Sequence, residues 1–297
     1  MNHSKNPSSV TRRSFVKGLA TTGAGIMAAP SLHAAGANDQ VRVAVIGMGG
    51  RGGGHFGALK SVPGVKIVAV CDADINKMGK YKKQGIEAVQ DYRKILEMKD
   101  VDAISIAAPN HWHAAMTVAG CQAGKHVYVE KPISHSLWES QQMIKAARKY
   151  KRIVQAGTQQ RSCPAPQAAA KDIAAGKYGK VLWVHCMKLN HRQPIGLVTE
   201  PQPVPEGVDY NLWAGPAPAS PIMRKKFHYD WHWQFAWGDG EMGNWAVHYT
   251  DDLCHMLGWK TLPEKVCSAG GRFLWKDNGD TPNLHFAYME HQGVPVM

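Results

Sequence analysis

Apolar residues along this chain gather into short β-branched runs that end at Gly, Pro, Asn or Asp, with longer helical patterns between them. Val41-Arg42-Val43-Ala44-Val45-Ile46 is the first run of strand length, and Lys66-Ile67-Val68-Ala69-Val70 is the second, ending at Cys71-Asp72. The third covers residues 101–108 and is closed by Pro109-Asn110-His111-Trp112-His113, after which Ala114-Ala115-Met116 start a helix. Val127-Tyr128-Val129 leads into Glu130-Lys131-Pro132, where proline ends the strand. A helix from Leu137 to Tyr150 and a short strand Ile153-Val154-Gln155-Ala156 complete the series. Strands alternating with helical segments predict an α/β domain on a parallel sheet, and ligands of such sheets bind at the carboxyl ends of the strands.

The first strand runs directly into Gly47-Met48-Gly49-Gly50-Arg51-Gly52. That is G-x-G-x-x-G at a strand-to-helix junction, the arrangement that cradles a dinucleotide. Gly47 makes the tight turn, Gly49 lets the backbone approach the pyrophosphate, and Gly52 lets the helix pack on the strand; Gly50 and Arg51 lie between them at the helix N-terminus that faces the phosphates. Asp72, after the second strand, accepts hydrogen bonds from the ribose 2′-hydroxyl and would repel a 2′-phosphate. This predicts NAD over NADP, with Arg51 and Lys77 as nearby cations able to soften the preference. Pro109, Asn110 and His111 mark a strand-to-helix loop whose groups either lie near the nicotinamide end or simply cap the helix that follows. Lys131 stands at the sheet's ligand edge, where it can exchange a proton beside the nicotinamide, with Glu130 preceding it.

The second half is irregular. Gly157-Thr158-Gln159-Gln160-Arg161 marks the crossing between domains and puts Gln159 at the cleft. A helix from Pro166 to Ala175 is closed by Gly176, and residues 181–187 alternate as a half-buried strand. The Pro-rich segment 194–221 is too long for a structureless loop and is expected to pack against neighbours or a partner subunit. Residues 238–251 read as the start of a long helix with Asn244 and His248 on one face. Alone among Trp245, Val247 and Tyr249, His248 would be read as a core residue. The run Tyr229-Asp230-Trp231-His232-Trp233-Gln234-Phe235-Ala236-Trp237 is dense in rings, which serve either as core or as a sugar-stacking surface. His228 and His232 lack an acid or cysteine to complete a metal site, so no metal is expected.

From about Val41 to near its end the chain resembles the glucose-fructose oxidoreductase, inositol dehydrogenase and MocA-like (Gfo/Idh/MocA) family. The resemblance rests on Gly47-x-Gly49-x-x-Gly52, the acid after the second strand, Pro109-Asn110-His111-x-His113 and Glu130-Lys131-Pro132, in that order. It implies an N-terminal Rossmann domain and a C-terminal α/β domain with a large open, mostly antiparallel sheet. It also implies NAD or NADP as cofactor and hydride chemistry on a sugar or cyclitol. The family's Glu-Lys-Pro lysine corresponds to Lys131. A family helix carries an aspartate and, four residues on, a histidine to the substrate hydroxyl; His248 matches the histidine, but Asn244 stands in the aspartate's place. An amide orients a hydroxyl but cannot take its proton, so acid/base work falls to His248 and Lys131. Family members continue beyond the point where this chain stops, so the second sheet is expected to lack its last strands and a closing helix. Its open edge invites pairing with another copy of the chain.

Composition adds an address. Of 297 residues, 44% are hydrophobic, enough for two domains and a cleft between them. Residues 1–36 hold Thr11-Arg12-Arg13-Ser14-Phe15-Val16-Lys17 before a small-residue apolar run, a twin-arginine export signal rather than a membrane span. This predicts export to the periplasm or exterior as a folded, nucleotide-loaded protein, with no membrane span in the mature part. The Rossmann domain is assigned to 37–157 and an incomplete substrate domain to 158–297. Four of the +12 charges lie in the signal, leaving about +8 dispersed without the clustered cations of a nucleic-acid binder. The six cysteines show no C-x-x-C spacing and read as free thiols. Three functions remain open: an NAD-linked oxidoreductase for sugars or cyclitols, a glycoside-cleaving enzyme that oxidises its substrate transiently on retained NAD, and an inactive sugar- or nucleotide-binding protein.

Overall fold

The computed structural model describes residues 40–189 and 192–297, so the expected export signal lies outside the described residues. Six strands, β1 (Val41–Ile46), β2 (Val65–Cys71), β3 (Glu87–Val89), β4 (Ala103–Ile106), β5 (His126–Glu130) and β6 (Val154–Gly157), make one sheet in the order β3-β2-β1-β4-β5-β6. Every pairing in it is parallel. The helices between them are α1 (Arg51–Lys60), α2 (Gly79–Lys82), α3 (Tyr92–Glu97), α4 (Asn110–Gln122) and α5 (Leu137–Lys149).

The strands read as continuous apolar runs because both faces of the sheet are covered. Ala44 and Ile46 of β1 turn to one face and pack with Met116 of α4 and Met143 of α5. Val45 turns to the other and packs with Phe56 of α1 and Tyr81 of α2. The strand order reverses between β1 and β4, which opens a crevice at the carboxyl ends of those two strands. α5 starts at a capping box, with Glu139 accepting from the Ser136 amide at 3.0 Å while Ser136 caps the Glu139 amide.

Beyond β6 come α6 (Pro164–Ala174), α7 (Tyr210–Ala214), α8 (Val247–Met256) and an antiparallel sheet of β7 (Lys265–Gly271), β8 (Leu284–His291) and β9 (Val294–Val296). Val266, Leu284 and Phe286 of this sheet are exposed. Segment 181–187, expected as a strand, forms a bridge from Val184 to Val296, with backbone bonds from Val184 to Pro295 at 2.9 Å, from Cys186 to Met297 at 2.7 Å and from Met297 to Val184 at 3.0 Å. Its alternation is real, but little partner strand lies alongside it to complete a ladder.

The Pro-rich segment 194–221 packs back on the Rossmann domain of its own chain. The Gly207 carbonyl accepts from the Ile75 amide at 3.1 Å, and the Asp209 amide donates to the Ala73 carbonyl at 2.9 Å. The Trp112 indole donates to the carbonyls of Leu212 and Trp213 at 3.1 and 3.0 Å. The segment therefore roofs the crevice and ties the two halves together. Among the described residues no helix is long and apolar enough to cross a membrane.

Candidate active site

The crevice is a cleft of about 530 Å³ running from the glycine loop to α8. At its cofactor end, Gly47 adopts φ 87°, a left-handed conformation that suits glycine. A Cβ there would lie 2.6 Å from Ala107, and one on Gly52 would lie 1.8 Å from the Gly47 carbonyl oxygen. Nothing approaches a Cβ position on Gly49 or Gly50 within 4 Å, so the loop leaves open ground above these two residues. α1 begins there with no side-chain cap and no acid in its first turn, leaving its amide dipole to an anion. This cradle fits the pyrophosphate of a dinucleotide.

Asp72 lines the same end. Its carboxylate accepts from the amides of Met48 at 2.6 Å and Asp74 at 2.9 Å, which fixes it against the loop. Burial raises its pKa, and those two bonds oppose the rise. The cations that sequence offered for a 2′-phosphate have other partners. Arg51 Nε donates to Glu130 at 2.8 Å, and Lys77 Nζ lies 4.0 Å from Asp74.

Pro109 caps α4 and Asn110 opens it, and both line the cleft. The Asn110 amide donates to Asp239 at 2.9 Å, which fixes its orientation. His111 is a correction. It is buried with its ring nitrogens 3.0 and 3.3 Å from the carbonyls of Trp213 and Trp237, and it does not face the cleft. Burial lowers its pKa to about 4, so it is a neutral strut beneath the aromatic core. Sequence put it in a loop ahead of the helix, whereas it lies in the first turn of α4, where the Trp213 carbonyl of the roof formed by segment 194–221 holds its ring.

At the other end Lys131 reaches across from β5 to the second half of the chain. Its Nζ donates to the Asn244 backbone carbonyl at 2.7 Å and to the Asn244 amide oxygen at 3.1 Å. Asn244 thus grips Lys131 through its two oxygens, and it lines the cleft where the substrate hydroxyl was expected. It lies in a π-helical turn, Met242–Ala246, through which the chain enters α8; such turns are rare and recur at functional sites. His248, in the first turn of α8, is buried and lines the same cleft, with Nδ1 enclosed and unpartnered. Burial lowers its pKa, and the charge of Lys131 lowers it further. Burial also lowers the pKa of Lys131, with Glu130 opposing. Gln159 lines the cleft too, and its Oε1 is enclosed with no partner, an acceptor placed for a ligand N–H or O–H.

Glu130 lies beneath Lys131, only 4% exposed. Burial alone would raise its pKa, but bonds from His55 at 3.0 Å and Arg51 at 2.8 Å dominate and take it down to about 2. Its other oxygen accepts from the Lys131 amide at 3.1 Å. Sequence reading missed His55, which lies three residues after Gly52; its partner is 75 residues away, and a lone histidine on a helix does not reveal it. It also missed a role for His113, whose ring sits 2.5 Å from the Pro132 carbonyl and 2.7 Å from that of Ala108. There it fastens the turn after Lys131 to the end of β4.

The aromatic run divides between core and cleft. Trp231 and Trp237 pack with Trp213 and Phe227 in a core cluster. His232, stacked on Trp231 at 3.7 Å, lines the cleft together with Tyr229 and Trp245.

Two descriptions of one family match this chain: "Oxidoreductase family, NAD-binding Rossmann fold" over residues 41–158 and "Oxidoreductase family, C-terminal alpha/beta domain" over residues 180–270. The chain is 35% identical over 147 residues to the scyllo-inositol 2-dehydrogenase (NAD(+)) of Bacillus subtilis, covering 48% of this chain and 43% of that protein. It is 31% identical over 168 residues to a glycosyl hydrolase family 109 protein of Shewanella pealeana, covering 46% and 37%. It spans less than half the length of these curated relatives. Among solved structures it superposes on the WlbA dehydrogenase from Bordetella pertussis, in complex with NADH and UDP-GlcNAcA. The TM-score is 0.66 at 19% identity, over 86% of this chain and 71% of that one, a likeness of fold. With both halves matched and the glycine loop, Asp72 and Lys131 gathered on one cleft, the chain belongs to the Gfo/Idh/MocA family of oxidoreductases.

Proposed function

We propose that this chain binds NAD and oxidises a ring hydroxyl of a sugar or cyclitol. The observation that carries this reading is the bond of Lys131 Nζ to Asn244 at the end of a cleft that His248 also lines and whose far end is the glycine cradle. Gly47, Gly49, Gly50 and Gly52 would hold the pyrophosphate, Asp72 the ribose, and Asn110 and Gln159 the nicotinamide side. Bound NAD supplies the hydride acceptor. Carbinol oxidation also releases a proton from oxygen, and the chain's own residues account for it. Lys131, clamped by Asn244, donates a hydrogen bond to the substrate oxygen and stabilises its developing negative charge. His248 is the base that takes the proton, since its lowered pKa leaves it neutral near pH 7.

Two predictions arise here. With Arg51 and Lys77 both engaged by carboxylates, the adenosine end offers a 2′-phosphate no counterion among these, which favours NAD over NADP. Asp72→Ala should weaken NAD binding about tenfold or more, as expected for lost bonds to a charged acceptor. An NAD titration that gives the same affinity in variant and wild type would overturn the assignment. A base must be unprotonated, so the acid limb of the oxidation rate should fall below the ordinary histidine value of 6.5. Lys131→Met removes the neighbouring cation, and the limb should then move to higher pH; a kcat/KM profile against pH checks the sign.

The name of the Shewanella relative favours a second reading. In it one carbon would be oxidised transiently on retained NAD, the acidified proton on its neighbour would be removed so that the glycosidic bond one carbon further breaks by elimination, water would add across the double bond left behind, and the oxidised carbon would be reduced again. Denaturing the purified protein, identifying any released nucleotide, and screening sugars and glycosides for both NADH formation and cleavage separates the two. Finding neither activity with NAD bound would point to a binding protein.

A further inference from the structure

The cleft does not end at Lys131 and His248. A second concavity of about 250 Å³ adjoins it and shares Arg192 and Tyr229 as lining residues, with Lys226, Asp230 and Trp233 completing its wall. Arg192 therefore stands at the junction, held in place from two sides. Its Nε donates to Glu241 Oε1 at 2.5 Å, and its guanidinium carbon lies 5.5 Å from the centre of the Trp233 ring. Lys188 binds the other oxygen of Glu241 at 2.5 Å and lies over the Trp245 ring at 4.6 Å.

The charges around the reaction end do not balance. Glu130 answers Arg51, and Glu241 is one carboxylate shared by two cations, Lys188 and Arg192. Among the described residues Lys131 hydrogen-bonds only to the two Asn244 oxygens, with the charges of Glu130 and Glu241 acting on it from nearby, and its charge has a use in the proposed chemistry, on the substrate oxygen. The surplus positive charge of the Lys188–Glu241–Arg192 group has no such use, and it sits where the two concavities meet. Lys226 adds a further cation on the far wall. Among the described residues that line the second concavity Asp230 is the one carboxylate; it accepts from the Lys226 amide at 2.8 Å, and burial raises its pKa, with Asp277 nearby adding to the rise. A partly buried positive surplus facing a cavity concentrates anions, and a guanidinium can pair with two oxygens of a carboxylate or phosphate.

We propose that the substrate is a polyol ring carrying an anionic group, carboxylate or phosphate. The ring would lie against Lys131 and His248, and the anion would be recognised by Arg192 at the junction with the second concavity. This rests on the oxidoreductase reading above and extends it to a substrate class.

The test uses the purified full chain loaded with NAD, titrated with glucose, glucuronate and glucose 6-phosphate and followed by calorimetry. The same titrations are made on Arg192→Gln and on Lys149→Gln, a remote lysine of α5. At least one of the two anions should bind about tenfold more tightly than glucose, the scale of one charge-assisted bond, and which one does identifies the anionic group. Arg192→Gln should abolish the difference without changing NAD affinity, and Lys149→Gln should preserve it. Equal binding of all three sugars, failure of both anions to bind, or a preference that survives in Arg192→Gln would overturn the proposal. Failure of the wild-type chain to bind NAD would instead sink the reading beneath it.

Discussion

Lys131→Met should lower turnover by about 10²-fold or more while NAD remains bound, the usual scale for removing a positioned acid/base or hydrogen-bonding group. Methionine keeps the apolar stem where β5 ends and removes only the ammonium. That ammonium makes the bonds to Asn244 at 2.7 and 3.1 Å, so the variant loses both the clamp across the cleft and the donor aimed at the substrate oxygen. The glycine cradle and Asp72 lie at the other end of the cleft and should be unaffected. Steady-state rates beside an NAD titration decide it. Full activity would remove Lys131 from the mechanism, and a parallel fall in NAD affinity would recast it as a cofactor clamp.

Gly52→Ala should be comparably damaging for a different reason. The new methyl would stand 1.8 Å from the Gly47 carbonyl oxygen, closer than any contact allows, and the obstacle is backbone that cannot rotate aside. Either α1 moves off β1 or the glycine turn opens. Forcing a methyl into packed surroundings costs about 1–3 kcal/mol. A lowered Tm together with NAD affinity reduced at least about tenfold is the expected result. Gly49→Ala is the control. No atom lies within 4 Å of its Cβ position, so Tm should hold while NAD affinity falls, because the methyl occupies the ground left for the pyrophosphate. A Gly52→Ala protein with unchanged Tm and NAD affinity would contradict the packing.

These two residues mark how far the sequence was legible. Gly52 could be assigned its packing role from spacing alone, because a strand, a glycine triplet and a helix follow one another between Val41 and Lys60 and their geometry is local. Lys131 could be placed at the sheet's edge for the same reason. Its partner could not, since Asn244 is 113 residues away, and only the folded chain brings the π-helical turn to the end of β5. Hence Asn244 was read only as a substrate contact, and its hold on the lysine went unseen. His111 and His55 show the same limit. The orientation of one ring is set by the roof over the crevice and the role of the other by Glu130, 75 residues on.

The sequence by itself determined the parallel sheet, its glycine cradle, the acid at the end of β2 and the lysine at the end of β5. Each follows from apolar periodicity and turn chemistry acting over short distances. Only the tertiary structure decided that segment 194–221 folds back over the crevice, that Arg51 turns to Glu130 and away from the adenosine end, and that Arg192 stands where two concavities meet. Those outcomes depend on which surfaces are left to cover and which charges are left to pair once the sheet has formed. Both are long-range balances of burial and electrostatics, and no local pattern encodes them.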